Sequence, residues 1–384
     1  MITNIEFWAE EPLDNLISTF NLKFDKTIYL HEETAVGKTS TEKYLTRNGL
    51  VKSVEFFQVE KDNIEQIISK IESIVDNERK NGNNVFFEIK GGREVELVAL
   101  GELAGKTDIP FYYYDIEKQT IVELNKTASD LISRDVEKRN HRMNIDSFIR
   151  VRKAVIVERM HKDAKEIDLE KQSDDIDKLL RVFNEFNDVW NQFASFFSKY
   201  LKNEDSLDVD VYTSDVIKNL KKTSGVFSTQ LKLRAILDEL EKNALIENLD
   251  YQNTKYVFKI KNSFVKQCLS DPGMLLEIET YIDESKDADD CQIGVHLDWD
   301  GVIHNETNDV LNEIDVLRIE NNIPTFISCK NGRLKDALTP LYELEVVARR
   351  FGGKYAKKKL VVTQELTVTQ KERADALGIE IVER

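Results

Sequence analysis

The most informative stretch for the architecture is VFFEIKGGREV, residues 85–95. Its short apolar run predicts a buried strand, and the glycine pair followed by a helical pattern predicts a tight turn into a helix. The surrounding sequence repeats this alternation, with predicted strands at 2–8, 27–31, 54–59 and 111–115 and predicted helices at 13–20, 40–48, 63–81 and 95–105. Strands that alternate with helices in this way predict a doubly wound α/β domain.

The glycine pair marks a candidate ligand-binding loop. In doubly wound sheets, ligands bind beyond the carboxyl ends of the strands, where backbone amides at a helix N-terminus approach phosphate. The candidate ligand contacts are therefore the residues that follow these strands: Glu10, Glu11, Thr39, Ser40, Lys90, Gly91, Gly92 and Arg93. A lone glycine pair also fits an ordinary tight turn, so the loop by itself does not identify a ligand.

A second group of candidate residues lies near the C-terminus, in NEIDVL (312–317) and TFISCK (325–330). Alternate side chains of a strand share one face, so Glu313 and Asp315 project together, and Ser328 and Lys330 do the same on the next strand. Because polar side chains among apolar ones are costly to bury unless they are used, these four residues are candidate catalytic groups.

The order of these pieces resembles the PD-(D/E)xK endonuclease fold, in which a carboxylate and a following lysine surround one or two divalent ions. The resemblance implies catalytic roles for Asp315 and Lys330 and a metal ligand in the Cys329 carbonyl. Ser328 stands where the family carries an acid, so Asp315, Glu313 and Glu277 would supply the negative charge. Glu277 follows Pro272 and Gly273 at a predicted helix start, and an all-oxygen site of this kind suits Mn²⁺ or Mg²⁺.

The middle of the chain predicts helices and a small sheet. Residues 167–201 have a helical pattern with an aromatic stripe that is typical of core or dimer packing. After a predicted acidic break at 203–210, two helices at 214–223 and 228–243 and a two-stranded wing at 244–260 follow a winged-helix pattern. Acids along the second helix disfavour groove binding, so we expect a spacer between the two ends of the chain.

Taken together, these pieces resemble the CARF-domain nucleases of type III CRISPR defence. The resemblance implies a CARF-like sensor at 1–135, a helical and winged-helix-like module at 136–265 and a PD-(D/E)xK-like, restriction-endonuclease-like α/β domain at 266–384. It further implies a homodimer that binds one cyclic oligoadenylate, most often cyclic tetra-adenylate, as an allosteric activator of DNA and possible RNA cleavage. The family loop carries a small polar residue and a cation where this chain has Arg93 and Glu94.

Composition excludes some other classes of protein. The 384 residues carry a formal net charge of −16, which argues against a general basic coat for nucleic acid, although six cations and no acid lie between Arg349 and Lys359. No apolar run reaches the ~20 residues that span a bilayer, and we expect a cytoplasmic protein without a membrane partner. The three cysteines are too few for a disulfide framework.

Two other functions remain open. The stretch VHLDWDG (295–301) resembles the first motif of haloacid-dehalogenase-type phosphatases, with Asp298 as nucleophile and Asp300 as acid/base; the alternative is a turn at Asp300 and Gly301. The loss of the motif acid at Ser328 also fits a ligand-controlled DNA-binding regulator with an inactive nuclease tail.

Overall fold

The computed structural model describes residues 1–32, 37–124, 131–157, 168–201, 206–222, 230–252, 254–298, 302, 311–332 and 338–384. These residues form two compact units, Met1–Ala154 and Val155–Arg384. Within the described residues no helix is long and apolar enough to cross a membrane. The three-part division expected from the sequence stays a prediction.

The first unit is built on a six-stranded sheet. Its strands are β1 (Ile2–Phe7), β2 (Lys26–His31), β3 (Ser53–Gln58), β4 (Asn84–Glu88), β5 (Phe111–Asp115) and β6 (Thr120–Glu123). Its helices are α1 (Ile17–Asn21), α2 (Lys38–Arg47), α3 (Ile64–Lys80), α4 (Glu94–Lys106), α5 (Leu131–Asp135) and α6 (Ile145–Val151). The strand order is β3-β2-β1-β4-β5-β6, parallel except for β6. The doubly wound domain predicted from the sequence is therefore present.

Alternation along the strands separates the two faces of this sheet. Ile5 and Phe7 of β1 and Phe87 of β4 pack in one apolar cluster with α3 and α4. The amphipathic pattern of α3 explains this packing, since Ile67, Ile71 and Ile74 recur at helical spacing and are buried. The predicted helix at 13–20 is wrong in its bounds, because the regular helix α1 begins only at Ile17.

The second unit begins with helices and a small antiparallel sheet. Its first elements are β7 (Val155–Ile156), α7 (Leu169–Glu185), α8 (Asn187–Phe197), β8 (Asp208–Tyr212), α9 (Thr213–Leu220), α10 (Gln230–Lys242), β9 (Ile246–Gln252), β10 (Lys255–Ile260) and α11 (Ser263–Ser270). The small sheet has the order β8-β10-β9. β8 occupies part of the predicted acidic break at 203–210, because Val209 and Val211 alternate with its acids and Val209 is buried.

A larger sheet carries the C-terminal candidate residues. Its remaining elements are α12 (Met274–Ser285), β11 (Asp290–Asp298), β12 (Leu311–Glu320), β13 (Ile323–Lys330), α13 (Leu338–Gly352), β14 (Lys357–Val362), α14 (Val368–Ala376) and β15 (Ile379–Glu383). The strand order is β15-β14-β13-β12-β11-β7, with a parallel half formed by β13, β14 and β15. The aromatic stripe of α7 and α8 is buried in the core that also takes Ile293, Val316 and Ile327 of this sheet, which confirms the prediction of core packing.

Candidate functional site

The first candidate site lies at the carboxyl ends of β1 and β4. These strands are neighbours in the sheet, while the chain order runs from β1 to β2 on one side and from β4 to β5 on the other. This reversal of strand order is the position at which open α/β sheets bind ligands. Glu10 and Glu11 follow β1, and Lys90 to Arg93 follow β4, so the topology brings the two predicted loops to one edge.

The loop after β4 requires glycine at position 91, because the backbone there is left-handed and lies close to β1. A Cβ atom at this position would lie 2.3 Å from the backbone oxygen of Phe7 and 3.3 Å from the Cβ of Ala9, and its φ is +78°. Gly92 follows with a φ of +80°. The loop after β4 therefore passes directly against the end of β1 with two left-handed residues, which only glycine adopts without strain.

Arg93 is already engaged by acids. Its guanidinium forms an ion pair with Glu32, which follows β2, and lies 3.3 Å from the carboxylate of Asp62, which follows β3. Its backbone N–H donates to the Glu96 carboxylate at 2.6 Å, a contact that starts α4. A phosphate ligand would therefore have to compete with two carboxylates for this cation.

Lys90 and Asp14 lie just inside the loop. Their Nζ and Oδ1 atoms are 3.7 Å apart, and the Lys90 and Asp14 side chains are 16% and 4% exposed. Lys90 is thus a partly buried cation near the switch point. Glu10 and Thr39 are exposed at this end of the sheet, whereas Glu94 is exposed on the first turn of α4.

Two buried glutamates lie beneath this loop. Glu6 and Glu88 are paired in the register of β1 and β4 and are 1% and 0% exposed. The Asn4 amide donates to Glu6 at 3.0 Å. Burial raises the pKa of Glu88 to about 7, and burial reinforced by the Glu88 carboxyl raises the pKa of Glu6 well above its usual range. The pair therefore retains protons that exposed carboxyl groups would release.

Glu11 belongs to a separate contact. Its carboxylate pairs with the Arg152 guanidinium, and the side chains of the two residues are 11% and 8% exposed. Glu11 also accepts a hydrogen bond from the Leu13 N–H at 3.2 Å. The carboxylate is thus directed towards the end of α6, a placement that the sequence pattern did not indicate.

The second candidate site is centred on Asp315. Its Oδ2 atom accepts hydrogen bonds from the Ser328 hydroxyl at 3.1 Å, the Cys329 backbone N–H at 2.6 Å and the Lys330 ammonium at 3.3 Å. β12 and β13 are antiparallel neighbours, and this pairing brings the four residues together. All three donors therefore converge on a single carboxylate oxygen of Asp315.

Glu313 and His296 extend this site along the sheet. They are directly opposite each other on β12 and β11, and the His296 Nε2 lies 3.7 Å from the Glu313 carboxylate. Glu313 shares its strand face with Asp315, two residues away. His296 was not among the predicted residues, since a lone histidine on an apolar strand gives no distinctive signal.

Glu277 approaches the site from the side of α12. Burial raises the pKa of the Cys329 thiol, and the charges of Asp315 and Glu277 raise it further. Both carboxylates therefore lie within electrostatic range of Cys329. Glu277 is 8% exposed, on the first turn of α12 as the sequence predicted.

The oxygen donors that the sequence predicts here do not form a closed metal cage among the described residues. In the described part of the chain, no group of three or more His, Cys, Asp or Glu side chains is arranged to hold a metal. Mg²⁺, however, keeps several waters and binds proteins through one or two carboxylates together with substrate phosphate. Asp315, Glu277 and the Cys329 carbonyl supply donors of that type.

Two cations of the predicted basic patch at 349–359 are engaged by acids. Lys358 forms an ion pair with Glu345 and donates to the Leu377 carbonyl, and Lys359 pairs with Glu284 at 2.5 Å. Arg349, Arg350, Lys354 and Lys357 are exposed. For the phosphatase motif, Asp298 ends β11 and is buried, whereas Asp300 and Gly301 lie outside the described residues.

Comparison with solved structures places this architecture among known folds. Protein VC1899 from Vibrio cholerae is 16% identical, with a TM-score of 0.74 over 100% of this chain and 94% of that chain. This chain shares its fold. Can2 from Sulfobacillus thermosulfidooxidans, solved in complex with cyclic tetra-adenylate, is 14% identical, with a TM-score of 0.62 over 100% of this chain and 96% of that chain. The predicted resemblance to CARF-domain nucleases is confirmed for the fold. No protein-family model and no curated protein matches the chain.

Proposed function

We propose that this protein is a nuclease of type III CRISPR defence that is activated by a cyclic oligoadenylate. The observation that carries the proposal is the convergence of Ser328, Cys329 and Lys330 on one carboxylate oxygen of Asp315. A fold shared with a protein that was solved with cyclic tetra-adenylate supports the choice of ligand. The edge of the first sheet would bind that ligand, with DNA or RNA as the substrate of the second site.

The ligand site would use the loop after β4. Gly91 and Gly92 leave the backbone free to approach phosphate at the start of α4, where the helix dipole favours negative charge. Lys90 supplies a cation from within, and Arg93 supplies a second one if phosphate displaces Glu32 and Asp62. Arg93 thus takes the place of the cation that the family loop carries.

The cleavage site would act on a phosphodiester. When bound by Asp315, Glu277 and the Cys329 carbonyl, Mn²⁺ or Mg²⁺ would polarise the phosphate and lower the pKa of an attacking water. Lys330 would stabilise the charge that develops on the phosphate oxygens, and its contact with Asp315 holds the ammonium in position. Glu313 and Ser328 would orient water and substrate beside this pair.

A homodimer is part of the proposal, with α4 as its contact helix. Leu97 and Val98 are 45% and 57% exposed on this helix. A Cβ atom at Gly101 or Gly105 would meet no heavy atom within 4 Å, so this part of the helix surface has room for a close neighbour. We expect Val98→Glu to shift sedimentation towards the monomer, whereas Val368→Glu, at a side chain that is 73% exposed on α14, should not.

The alternative is a ligand-controlled DNA-binding regulator with a winged-helix-like module and an inactive nuclease tail. Ser328, which stands at the motif position where the family carries an acid, favours this alternative. Incubation with single-stranded and supercoiled DNA, RNA, Mn²⁺ and each cyclic oligoadenylate separates the two functions. Cleavage that requires both ligand and metal supports the nuclease, and ligand-dependent binding without cleavage supports the regulator.

A further inference from the structure

A nearly buried ion pair joins the loop after β1 to the last helix of the first unit. Arg152 donates from both terminal nitrogens to the two carboxylate oxygens of Glu11, and the longer of these bonds is 3.4 Å. The guanidinium also lies over the ring of Phe148, with its carbon 4.6 Å from the ring centroid. A bidentate pair with little solvent exposure is directional and is weakly screened, so it transmits a displacement of either partner.

Apolar packing reinforces the contact. A small cavity between the loop and α6 is lined by Pro12, Leu13, Leu16, Met143, Phe148, Val151 and Arg152. Leu13 and Leu16 are buried, and the Leu13 N–H donates to Glu11. The loop after β1 and the end of α6 therefore form one packed element.

The chain leaves the first unit directly after this contact. α6 ends at Val151, Lys153 follows it with a φ of +64°, and the Ala154 N–H closes the turn on the Ile149 carbonyl at 3.2 Å. The first unit ends at Ala154, and the next two residues form β7. In the chain, only Lys153 and Ala154 therefore separate Arg152 from the second unit.

β7 is the edge strand of the sheet that carries the cleavage site. Val155 and Ile156 pair with Asp298 and Leu297 of β11, and the Val157 N–H donates to the His296 carbonyl at 2.9 Å. β11 in turn pairs with β12, where His296 is opposite Glu313. Within the second unit, one strand, β11, therefore lies between β7 and the candidate catalytic strand β12.

We propose that the Glu11–Arg152 pair couples occupation of the ligand loop to the nuclease sheet. This inference rests on the proposed function, because it assumes a ligand at the carboxyl edge of the first sheet. Ligand binding there moves the residues that follow β1, and Arg152 carries that movement into Lys153, Ala154 and β7. Arg152 is thus a positioning residue that contacts neither ligand nor substrate.

The test replaces the pair without leaving a lone buried charge, using the full-length Glu11→Gln/Arg152→Met variant. Calorimetry measures cyclic tetra-adenylate binding, and amide hydrogen exchange measures the ligand's effect on residues 145–157. DNA cleavage is measured with and without ligand. At saturating ligand, we expect the ligand-induced change in exchange to disappear and the stimulation of cleavage to fall by about 5- to 150-fold, the usual range of allosteric coupling. Arg150→Met is the matched control, because Arg150 lies on the same helix in an exposed pair with Asp146.

The outcomes separate this inference from the proposed function. A wild-type protein that binds no cyclic oligoadenylate overturns both. A wild-type protein that binds and is stimulated, with a double variant that behaves identically, overturns the coupling alone. If the double variant does not fold, Arg152→Lys keeps the charge but loses the bidentate geometry, and stimulation equal to that of the wild type would then overturn the coupling.

Discussion

Asp315 and Lys330 meet across two neighbouring antiparallel strands, with the ammonium 3.3 Å from the carboxylate Oδ2. Fifteen positions separate them in the chain, and the hairpin of β12 and β13 brings them together. The side chains are 14% and 34% exposed, so the carboxylate is largely buried and the ammonium is partly exposed. The proposed cleavage site requires a carboxylate and an ammonium at this proximity.

Removal of the ammonium tests that site. Lys330→Met should lower the ligand-stimulated cleavage rate by about 100- to 1000-fold, the usual cost of losing one donor to a developing oxyanion. Ligand affinity should be unchanged, since Lys330 belongs to the second unit. Lys286→Met, at an exposed lysine after α12 that pairs with Asp283, is the control. Cleavage at the wild-type rate by Lys330→Met would remove this residue from the chemistry.

Restoring the missing acid should improve metal binding. Ser328 donates to Asp315 but carries no charge, so Ser328→Asp adds a carboxylate to the oxygen donors around Asp315. We expect Mn²⁺ to bind about 10- to 100-fold more tightly in a calorimetric titration, a range typical of changes at metal sites. Ser328→Asn keeps the size without the charge and serves as the control. Equal Mn²⁺ affinity in both variants would argue against a metal at this position.

The close approach of Gly91 to Phe7 predicts a specific loss of stability. Gly91→Ala places a methyl group 2.3 Å from a backbone oxygen, whereas Gly82→Ala has a similar positive φ of +75° with nothing within 4 Å. Both variants carry a backbone cost of about 1–2 kcal/mol, so a greater loss in Gly91→Ala isolates the steric clash. Chemical denaturation measures both values. Equal losses of unfolding free energy in the two variants would mean that the loop at Gly91 moves away from Phe7 at little cost.

The buried pair of glutamates predicts that stability falls as pH rises. The folded state holds the Glu88 proton up to about pH 7, whereas the unfolded chain releases it near the ordinary value of 4.5. The unfolding free energy contributed by this group is therefore complete below pH 4.5 and is lost as pH rises to 7 and above. Glu88→Gln should flatten the decline between pH 5 and 8 in denaturant titrations, whereas Glu72→Gln, exposed on α3, should not. Parallel curves for wild type and Glu88→Gln would contradict a raised pKa.

Local sequence predicted most of the secondary structure because each element carries its own periodic signal. The strand and helix around residues 85–95 are present as β4 and α4, and α3 follows the predicted helical spacing. The predicted start of α1 was wrong, because the apolar residues before Ile17 do not form a regular helix. The segment of β8 was predicted as an acidic break because acids alternate with its valines. Only alternate positions of an edge strand need to be apolar, so these acids do not prevent a strand.

In the candidate sites, too, some features could be predicted from the sequence and others could not. Gly91, Gly92, Asp315 and Lys330 could be found from the sequence because their residue types and positions relative to strand ends are distinctive. The engagement of Arg93 by Glu32 and Asp62 could not be found, and neither could the pairing of Glu11 with Arg152. Each partner lies tens of residues away and carries no local signal.

The sequence by itself determined the alternation of elements, the glycine loop and the hairpin that carries Asp315 and Lys330, because these depend on side-chain periodicity and turn chemistry over short distances. Tertiary structure alone decided which charges are paired, which are buried and which are exposed. Strand order and helix packing set the distances between remote residues, and both burial and electrostatic attraction depend on those distances rather than on position in the chain.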